Sequence, residues 1–238
     1  MSQLVLYDLP SKEPRVCWSY NPWKARLVLN YKKLDYKTVW TEYPDIEPTL
    51  KDHVPPNPPG DMPYTIPTVK FPDGTYVMGS KNIATRLEKE HPTPPLPVDS
   101  PILDGLPKLG DKIMTPLKGI QIPGVYTNIL PEGSKEYFAR TREARFGKSL
   151  LQLRKETGVE EAWIEALPGI KELGELLKAN GGPFVMGDKP SYADFVIVGW
   201  LQFYKVVDED SYQRFVKIEP VIGKLYDASK PWLERNDH

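Results

Sequence analysis

The sequence predicts an α+β N-terminal domain followed by an all-helical C-terminal domain. Strand and helix patterns alternate before residue 91, and only helical patterns follow the proline-rich run HPTPPLPVDSP at 91–101. Each proline fixes its own φ and disfavours helix in the residue before it, so this run predicts a stiff, extended linker. We therefore place the domains at residues 1–93 and 94–238.

The N-terminal elements are predicted in the order β-α-β, a long loop, β-β-α. Asn21-Pro22 predicts a helix start, and a turn at 72–74 predicts a hairpin. Ser80 is expected to cap the last helix. A βαβ unit followed by a hairpin and a helix is a thioredoxin-like arrangement. The predicted strands are 3–7, 36–41, 66–71 and 75–78.

Helical patterns cover the second half of the chain. Residues 134–157 and 160–179 read as helices, and Pro168 is expected to kink or split the second one. Residues 191–206 are apolar almost all round, which predicts a helix buried at the centre of the domain. Ser191 and Asp194 form a capping box at its start, which we interpret as structural.

The composition excludes several classes of function. The 238 residues carry 31 basic and 32 acidic side chains, unlike a nucleic-acid or membrane-surface binder. The chain has one cysteine and three dispersed histidines, which predict no internal disulfide and no metal site built from these residues. A metal site built from aspartate and glutamate stays open. The N-terminus lacks signal-peptide features, and no run of ~18 apolar residues is present. We expect a cytoplasmic enzyme or binding protein.

Two segments suggest ligand-binding backbone. A proline after Ile66 fits an edge strand, a bulge or a cis peptide bond. With a cis bond at Pro67, the Ile66 backbone would face outward and pair with a peptide-like ligand; alternatively, Pro67 only ends an edge strand. The helix start at Gly79-Ser80 would favour a carboxylate, unless Ser80 is only a cap.

Ser19 is the candidate for chemistry at a helix start. With no histidine nearby in sequence to act as a base, its hydroxyl is not predicted to be a nucleophile. It can donate a hydrogen bond to a bound thiolate, whose pKa a helix N-terminus also lowers. The alternative is an ordinary capping serine. Cys17 is either a redox cysteine or a small buried side chain.

Four segments in the right order resemble the glutathione transferases over nearly the whole chain. Within that family the chain is similar to the omega class and to the fungal-specific class A (etherase-related) enzymes. Those enzymes carry a catalytic cysteine or serine seven residues before an arginine matching Arg26, which points to Ser19. Serine implies thiolate stabilisation and conjugation, whereas cysteine would imply thiol transfer. The segments are LVLYDLP, SYNPWKARLVLNYKKL, YTIPTVKFPDGTYVMGSKNIATRLEKEHP and GPFVMGDKPSYADFVIVGWLQF.

The resemblance implies a glutathione site with four parts. Ser19 faces the sulfur, the Ile66 backbone pairs with the cysteinyl moiety, and Ser80 with its helix start holds the γ-glutamyl carboxylate. A loop side chain, Lys51 or His53, holds the glycine end. The residues assigned to this site are Ser19, Asn21, Lys51, His53, Ile66, Pro67, Gly79 and Ser80.

Two positions depart from the family pattern. Tyr20 stands where the related sequences usually carry proline. Gly79 stands where they usually carry a glutamate or aspartate that helps hold the glutathione α-amino group. This contact is therefore in question.

The second substrate is expected between the domains, where pockets often form. The residues predicted to line its pocket are Tyr20, Asn21, Trp23 and Tyr126, with a core position as the alternative for Trp23. The resemblance implies a dimeric cytosolic glutathione transferase that conjugates hydrophobic or aromatic electrophiles in detoxification. The alternatives are a ligandin for aromatic or polyphenolic compounds, a glutathione-dependent ether cleaver or a thiol reductase using Cys17, and a regulatory protein with an inactive site.

Overall fold

The N-terminal part of the chain forms a four-stranded mixed sheet. The computed structural model describes residues 3–237. The strand order is β2-β1-β3-β4, with β1 and β2 parallel and the other neighbours antiparallel. The register places Leu6 of β1 between Thr38 and Val69. The strands are β1 Leu4–Asp8, β2 Tyr36–Trp40, β3 Thr68–Lys70 and β4 Tyr76–Met78.

Within residues 3–237, three α-helices complete this domain, and the expected βαβ-ββα order is confirmed. The long α1 and α3 pack against each other, while α2 follows a 3₁₀ turn at Tyr43–Asp45. The hairpin turn lies at the predicted position, where Gly74 has a φ of 89° that favours glycine. The helices are α1 Tyr20–Tyr31, α2 Ile46–Leu50 and α3 Ser80–Glu90.

The rest of the described chain is helical, which confirms the all-α C-terminal domain. A five-residue π-helical turn, Val125–Ile129, follows α5. The eight α-helices are α4 Ile102–Met114, α5 Lys118–Gly124, α6 Glu132–Phe146, α7 Leu150–Thr157, α8 Glu160–Lys178, α9 Tyr192–Val207, α10 Glu209–Ile218 and α11 Pro220–Leu233.

Helix α9 is the buried centre of the molecule, as its apolar sequence predicts. It packs along α1, so the two domains share one hydrophobic core. The predicted capping box opens it: the buried Asp194 carboxylate accepts hydrogen bonds from the backbone N–H and the hydroxyl of Ser191, both at 2.7 Å. It also accepts one from the Val185 N–H at 2.7 Å. This network fixes where the helix begins.

Four details of the helices differ from the sequence prediction. Residues 134–157 form two helices, α6 and α7, rather than one. Helix α1 begins at Tyr20, with Ser19 rather than Asn21 at the N-cap position. Gly79 rather than Ser80 occupies the N-cap position of α3. Pro168 does not split its segment, because α8 runs through it and the next residue, Gly169, packs tightly on α4. Tertiary packing outweighs the local preference there.

A buried ion pair ties α1 to the sheet. Arg26 and Asp8 have fully buried side chains joined at 2.8 Å. The same guanidinium donates to Tyr36 Oη at 3.2 Å and Thr38 Oγ1 at 2.9 Å. A buried charge needs such partners, since unpaired burial is costly. Arg26, the sequence landmark for the site, therefore acts in the framework.

Candidate active site

A cavity of about 710 Å³ lies between the domains, and we call it the interdomain cavity. The first domain contributes the start of α1, the segment 43–51 and the loop 62–66; the second contributes α6. Tyr43 N–H donates to Ser134 Oγ at 3.2 Å, and that hydroxyl donates to Glu42 at 3.1 Å. These bonds hold the 43–51 segment against α6. The cavity therefore needs both domains.

Ser19 lies in this cavity at the N-terminus of α1. Its carbonyl accepts the Trp23 N–H at 3.1 Å, but its side chain makes no capping bond. Within residues 3–237, the hydroxyl has no hydrogen-bond partner, and the residue is 8% exposed. A free donor at a positive helix end suits an anion such as a thiolate.

The Ile66-Pro67 peptide bond is cis, and Ile66 lines the same cavity as Ser19. Pro67 C=O accepts the Gly79 N–H at 3.0 Å, which joins this loop to the start of α3. In the described part of the chain, neither the N–H nor the C=O of Ile66 has a hydrogen-bond partner. Buried backbone groups are normally paired, so both are available to a ligand.

Ser80 lines a second cavity of about 850 Å³, bounded by α1, α3, α4 and α9. It is the first residue of α3, and its Oγ accepts the hydroxyl of Tyr192 at 2.9 Å. Burial raises the pKa of Tyr192 to about 12, so this phenol stays protonated at neutral pH. Tyr20 and Asn21 line both cavities, which places Ser80 and Ser19 on either side of them.

Gly79 has a φ of 92°, a conformation that side-chain-bearing residues rarely adopt. A Cβ here would lie 3.5 Å from Asn82 Nδ2, so space alone does not require glycine. The backbone conformation therefore explains why glycine is suited to position 79, where the family usually carries glutamate or aspartate.

The remaining sequence-predicted residues fall in different places. Lys51 is exposed and lines the interdomain cavity. His53 is exposed but stacks on Tyr76, with ring centroids 4.2 Å apart. Trp23 is fully buried and donates to the Cys17 carbonyl at 3.1 Å, so it belongs to the core. Tyr126 is half-buried in the π-helical turn. In the described part of the chain, Tyr126, His53 and Trp23 all lie outside the lining of the two cavities.

Cys17 is fully buried and lines neither described cavity. Burial raises the pKa of its thiol well above the ordinary value, and the neighbouring Asp8 carboxylate acts in the same direction. A protonated, inaccessible thiol is a poor nucleophile. Its position is that of a small apolar side chain.

Sequence reasoning missed the face that α6 turns toward Ser19. Tyr137, Thr141, Arg142 and Arg145 line the interdomain cavity from this helix. Residues 137, 141 and 145 repeat at the spacing of one helical face, so a signal was present in the sequence. The pattern does not reveal which residues lie across the cavity from that face. The structure shows that they include Tyr43 and Ser19 of the other domain.

No helix within 3–237 is long and apolar enough to cross a membrane. In the same range, no group of three or more histidine, cysteine, aspartate or glutamate side chains is arranged to hold a metal ion.

Comparisons with known proteins agree with this geometry. Residues 18–90 match the family described as Glutathione S-transferase, N-terminal domain, and residues 108–227 match Glutathione S-transferase, C-terminal domain. The glutathione S-transferase-like protein ustS of Aspergillus flavus is 34% identical, over 98% of this chain and 92% of that protein.

Solved fungal structures share the whole architecture. Glutathione transferase GSTFuA3 of Phanerochaete chrysosporium superposes with a TM-score of 0.84 at 29% identity, covering 98% of each chain. Glutathione S-transferase CsGST63524 of Ceriporiopsis subvermispora, solved in complex with glutathione, has a TM-score of 0.83 at 31% identity, covering 97% of this chain and 98% of that one. The chain belongs to the glutathione S-transferase family, as an enzyme with glutathione as its co-substrate.

Proposed function

We propose that the protein conjugates glutathione to hydrophobic or aromatic electrophiles and stabilises the glutathione thiolate through Ser19. The observation that carries this proposal is the unpartnered Ser19 hydroxyl at the α1 N-terminus, in the same cavity as Ile66. The hydroxyl donates to the thiolate, and the helix start adds a favourable field. Both lower the thiol pKa, and the shared cavity brings the electrophile close.

The same proposal assigns the rest of the glutathione molecule. The Ile66 N–H and C=O pair with its cysteinyl backbone, as a short added strand would. The α3 N-terminus with Ser80 receives the γ-glutamyl carboxylate, and Lys51 receives the glycyl carboxylate. His53 is not retained, because its ring is stacked on Tyr76 outside the cavity. Gly79 supplies no carboxylate for the α-amino group.

The second substrate is proposed to occupy the remainder of the interdomain cavity. Tyr20, Tyr43, Tyr64 and Tyr137 line it, and aromatic walls of this kind suit aromatic ligands. Trp23 and Tyr126 are not retained as wall residues. Sequestration of aromatic compounds without turnover remains the second candidate function, favoured by the same aromatic walls.

Thiol transfer through Cys17 is the weaker alternative. The buried position and raised pKa of this thiol both oppose attack on a glutathione disulfide. The expected homodimer and the domain boundary at 93/94 stay predictions. Light scattering after gel filtration tests the dimer.

The test replaces Ser19 with alanine. Loss of a hydrogen bond to a charged group is worth about 1.5–3 kcal/mol, so the pKa of the bound thiol should rise by roughly 1–2 units. At pH 6.5, kcat/KM for a chloronitrobenzene should fall roughly 10–100-fold, and the pH profile should move to higher pH. Ultraviolet titration of the thiolate in the glutathione complex measures the pKa directly.

Ser149→Ala is the matched control. Ser149 is also an N-cap serine, but its hydroxyl accepts the Gln152 N–H of α7, outside both cavities. This variant should lose about 1 kcal/mol of stability and keep its activity. Ser19→Ala should keep its stability and lose activity, because the Ser19 side chain makes no capping bond. An unchanged thiol pKa in Ser19→Ala would refute the assigned role.

A further inference from the structure

The interdomain cavity carries more positive than negative charge. Lys51, Arg142 and Arg145 line it, against the single carboxylate of Glu47. None of these four side chains forms an ion pair with any residue in 3–237. Their charges are therefore available to a ligand. Glutathione carries two carboxylates, which account for part of this positive charge, and the two arginines on α6 remain to be explained.

Arg142 is the most fixed of these cations. It is half-buried, and its guanidinium lies 4.3 Å from the ring centroid of Phe138 and 5.1 Å from that of Tyr43. Nη1 donates to Thr141 Oγ1 at 2.8 Å. Contact with two rings and the bond to Thr141 restrict the planar guanidinium, which suits two-point recognition of a carboxylate.

The aromatic groups beside Arg142 complete the arrangement. Tyr43 and Tyr137 come from opposite domains and lie nearly parallel, with an interplanar angle of 9° and centroids 6.1 Å apart. Burial raises the pKa of Tyr43 to about 12, so it stays a neutral hydrogen-bond donor at physiological pH. Cationic and aromatic groups therefore meet at one wall.

We propose that the preferred second substrate is an aromatic electrophile with a carboxylate, held by Arg142 with Arg145 at the rim. The inference rests on the proposed conjugating function and names its substrate class. Lys51 lines the same cavity from the opposite domain, as Ile66 does, and is assigned to glutathione. The two arginines on α6 are left for the acceptor. The ring of the acceptor lies against Tyr43 and Tyr137.

The test compares 4-chloro-3,5-dinitrobenzoate with its methyl ester. In both, the glutathione thiolate forms a bond to the ring carbon that bears chlorine, and chloride departs with the electron pair of the broken bond. The ester activates the ring more strongly, so each enzymatic kcat/KM is divided by the uncatalysed rate constant with glutathione. We expect the normalised value to favour the carboxylate.

Arg142→Met keeps the packed stem and removes the charge. It should lower the normalised preference for the carboxylate roughly 10–100-fold, the value of a charged hydrogen bond, and lower the kcat/KM for the ester by much less. Arg145→Met, at an exposed position, should lower it by less. Arg142→Lys should restore only part of the preference, because an ammonium lacks the planar fork.

The charge-matched control is Arg154→Met. Arg154 is exposed on α7 and lies outside both cavities in the described chain. It removes one positive charge without touching the wall. If it lowered the preference as much as Arg142→Met does, a general electrostatic effect would replace the proposed contact.

A binding measurement separates this inference from the proposed function. Calorimetry with 3,5-dinitrobenzoate, which lacks a leaving group, is run with S-methylglutathione saturating the protein. Tighter binding than its methyl ester, lost in Arg142→Met, supports the anion site even if no conjugation is detected. Equal binding of the acid and the ester would overturn the proposed anion site. The same conclusion would follow if the only effect of Arg142→Met were a higher KM for glutathione.

Discussion

At the scale of single residues, the surroundings of a side chain decide its role more than its type does. Ser19 and Ser149 occupy the same position at a helix start, yet only Ser149 uses its hydroxyl as a cap. The Ser19 hydroxyl faces a cavity instead. Arg26 is fully buried and has a buried carboxylate partner. Arg142 is half-buried and has no carboxylate partner among residues 3–237.

Lys24 provides a residue-scale prediction about pH. It lines the second cavity, donates to Asn21 Oδ1 at 2.8 Å, and has no acidic partner in the described chain. Burial lowers its pKa from 10.5 to about 8. Between these two values the unfolded chain holds the proton more tightly than the folded one, so this group makes stability rise with pH in that window.

Lys24→Met should therefore be more stable than the wild type at pH 7, by about 1–2 kcal/mol after allowance for partial exposure. The difference should disappear near pH 10.5, where both states of the wild type lose the proton. Thermal melts from pH 7 to 10.5 without glutathione measure it. Lys108→Met, at an exposed position on α4, is the control and should show no such trend.

At the scale of elements, the contact between α1 and α9 positions the site. Gly199 of α9 faces the first turn of α1, where a Cβ would lie only 2.9 Å from the Tyr20 carbonyl oxygen. That distance is too short for an ordinary contact, so the absence of a side chain sets how closely the helices approach. Ser19 precedes this turn, so the contact also sets the depth of its hydroxyl in the cavity.

Gly199→Ala should displace the first turn of α1, since the obstructing atom belongs to the backbone. We expect a loss of about 1–3 kcal/mol of stability, as for other overpacked cores, together with a lower kcat/KM. Urea denaturation and the chloronitrobenzene assay measure both. Gly105→Ala in α4, where a Cβ meets nothing within 4 Å, should instead gain up to about 1 kcal/mol. Equal effects of the two substitutions would contradict the packing argument.

At the scale of the whole molecule, the segment after α11 returns to the first domain. Arg235 donates to the carbonyls of Leu34 at 3.0 Å and Tyr36 at 2.6 Å, and its guanidinium lies 4.1 Å from the Tyr36 ring centroid. The Asn236 carbonyl accepts the Cys17 N–H at 2.8 Å. The C-terminal segment therefore joins the two domains, in addition to the contact between α1 and α9.

Removing residues 234–238 should loosen this junction and expose Cys17. Because Cys17 is the only cysteine, its reaction with an aromatic disulfide reagent reports local opening without interference. The truncated chain should react at least ~10-fold faster and melt at a lower temperature. Glu234→Ala, an exposed change in the same segment, should behave like the wild type. Equal reaction rates for the truncated and full chains would count against this role.

Much of the fold could be predicted from the sequence because its signals are local. The apolar 191–206 segment, the Ser191–Asp194 box and the turn before Thr75 each depend on residues close together in the chain, and each matches the structure. The errors also have local causes. Asn21 and Ser80 are good capping residues, but the neighbouring Ser19 and Gly79 occupy the cap positions.

The placement of the candidate site residues was predictable where a short motif defines it and not where two distant surfaces meet. Local patterns of residues were enough to predict the family, the two-domain order, and the loop and helix start that present Ile66 and Ser19. The core position of Trp23, the position of His53 outside the cavity and the contact of Arg142 with Tyr43 depend on tertiary packing. Periodicity shows which residues of a helix share a face, but the surface opposite that face depends on how the domains pack, which no local pattern encodes.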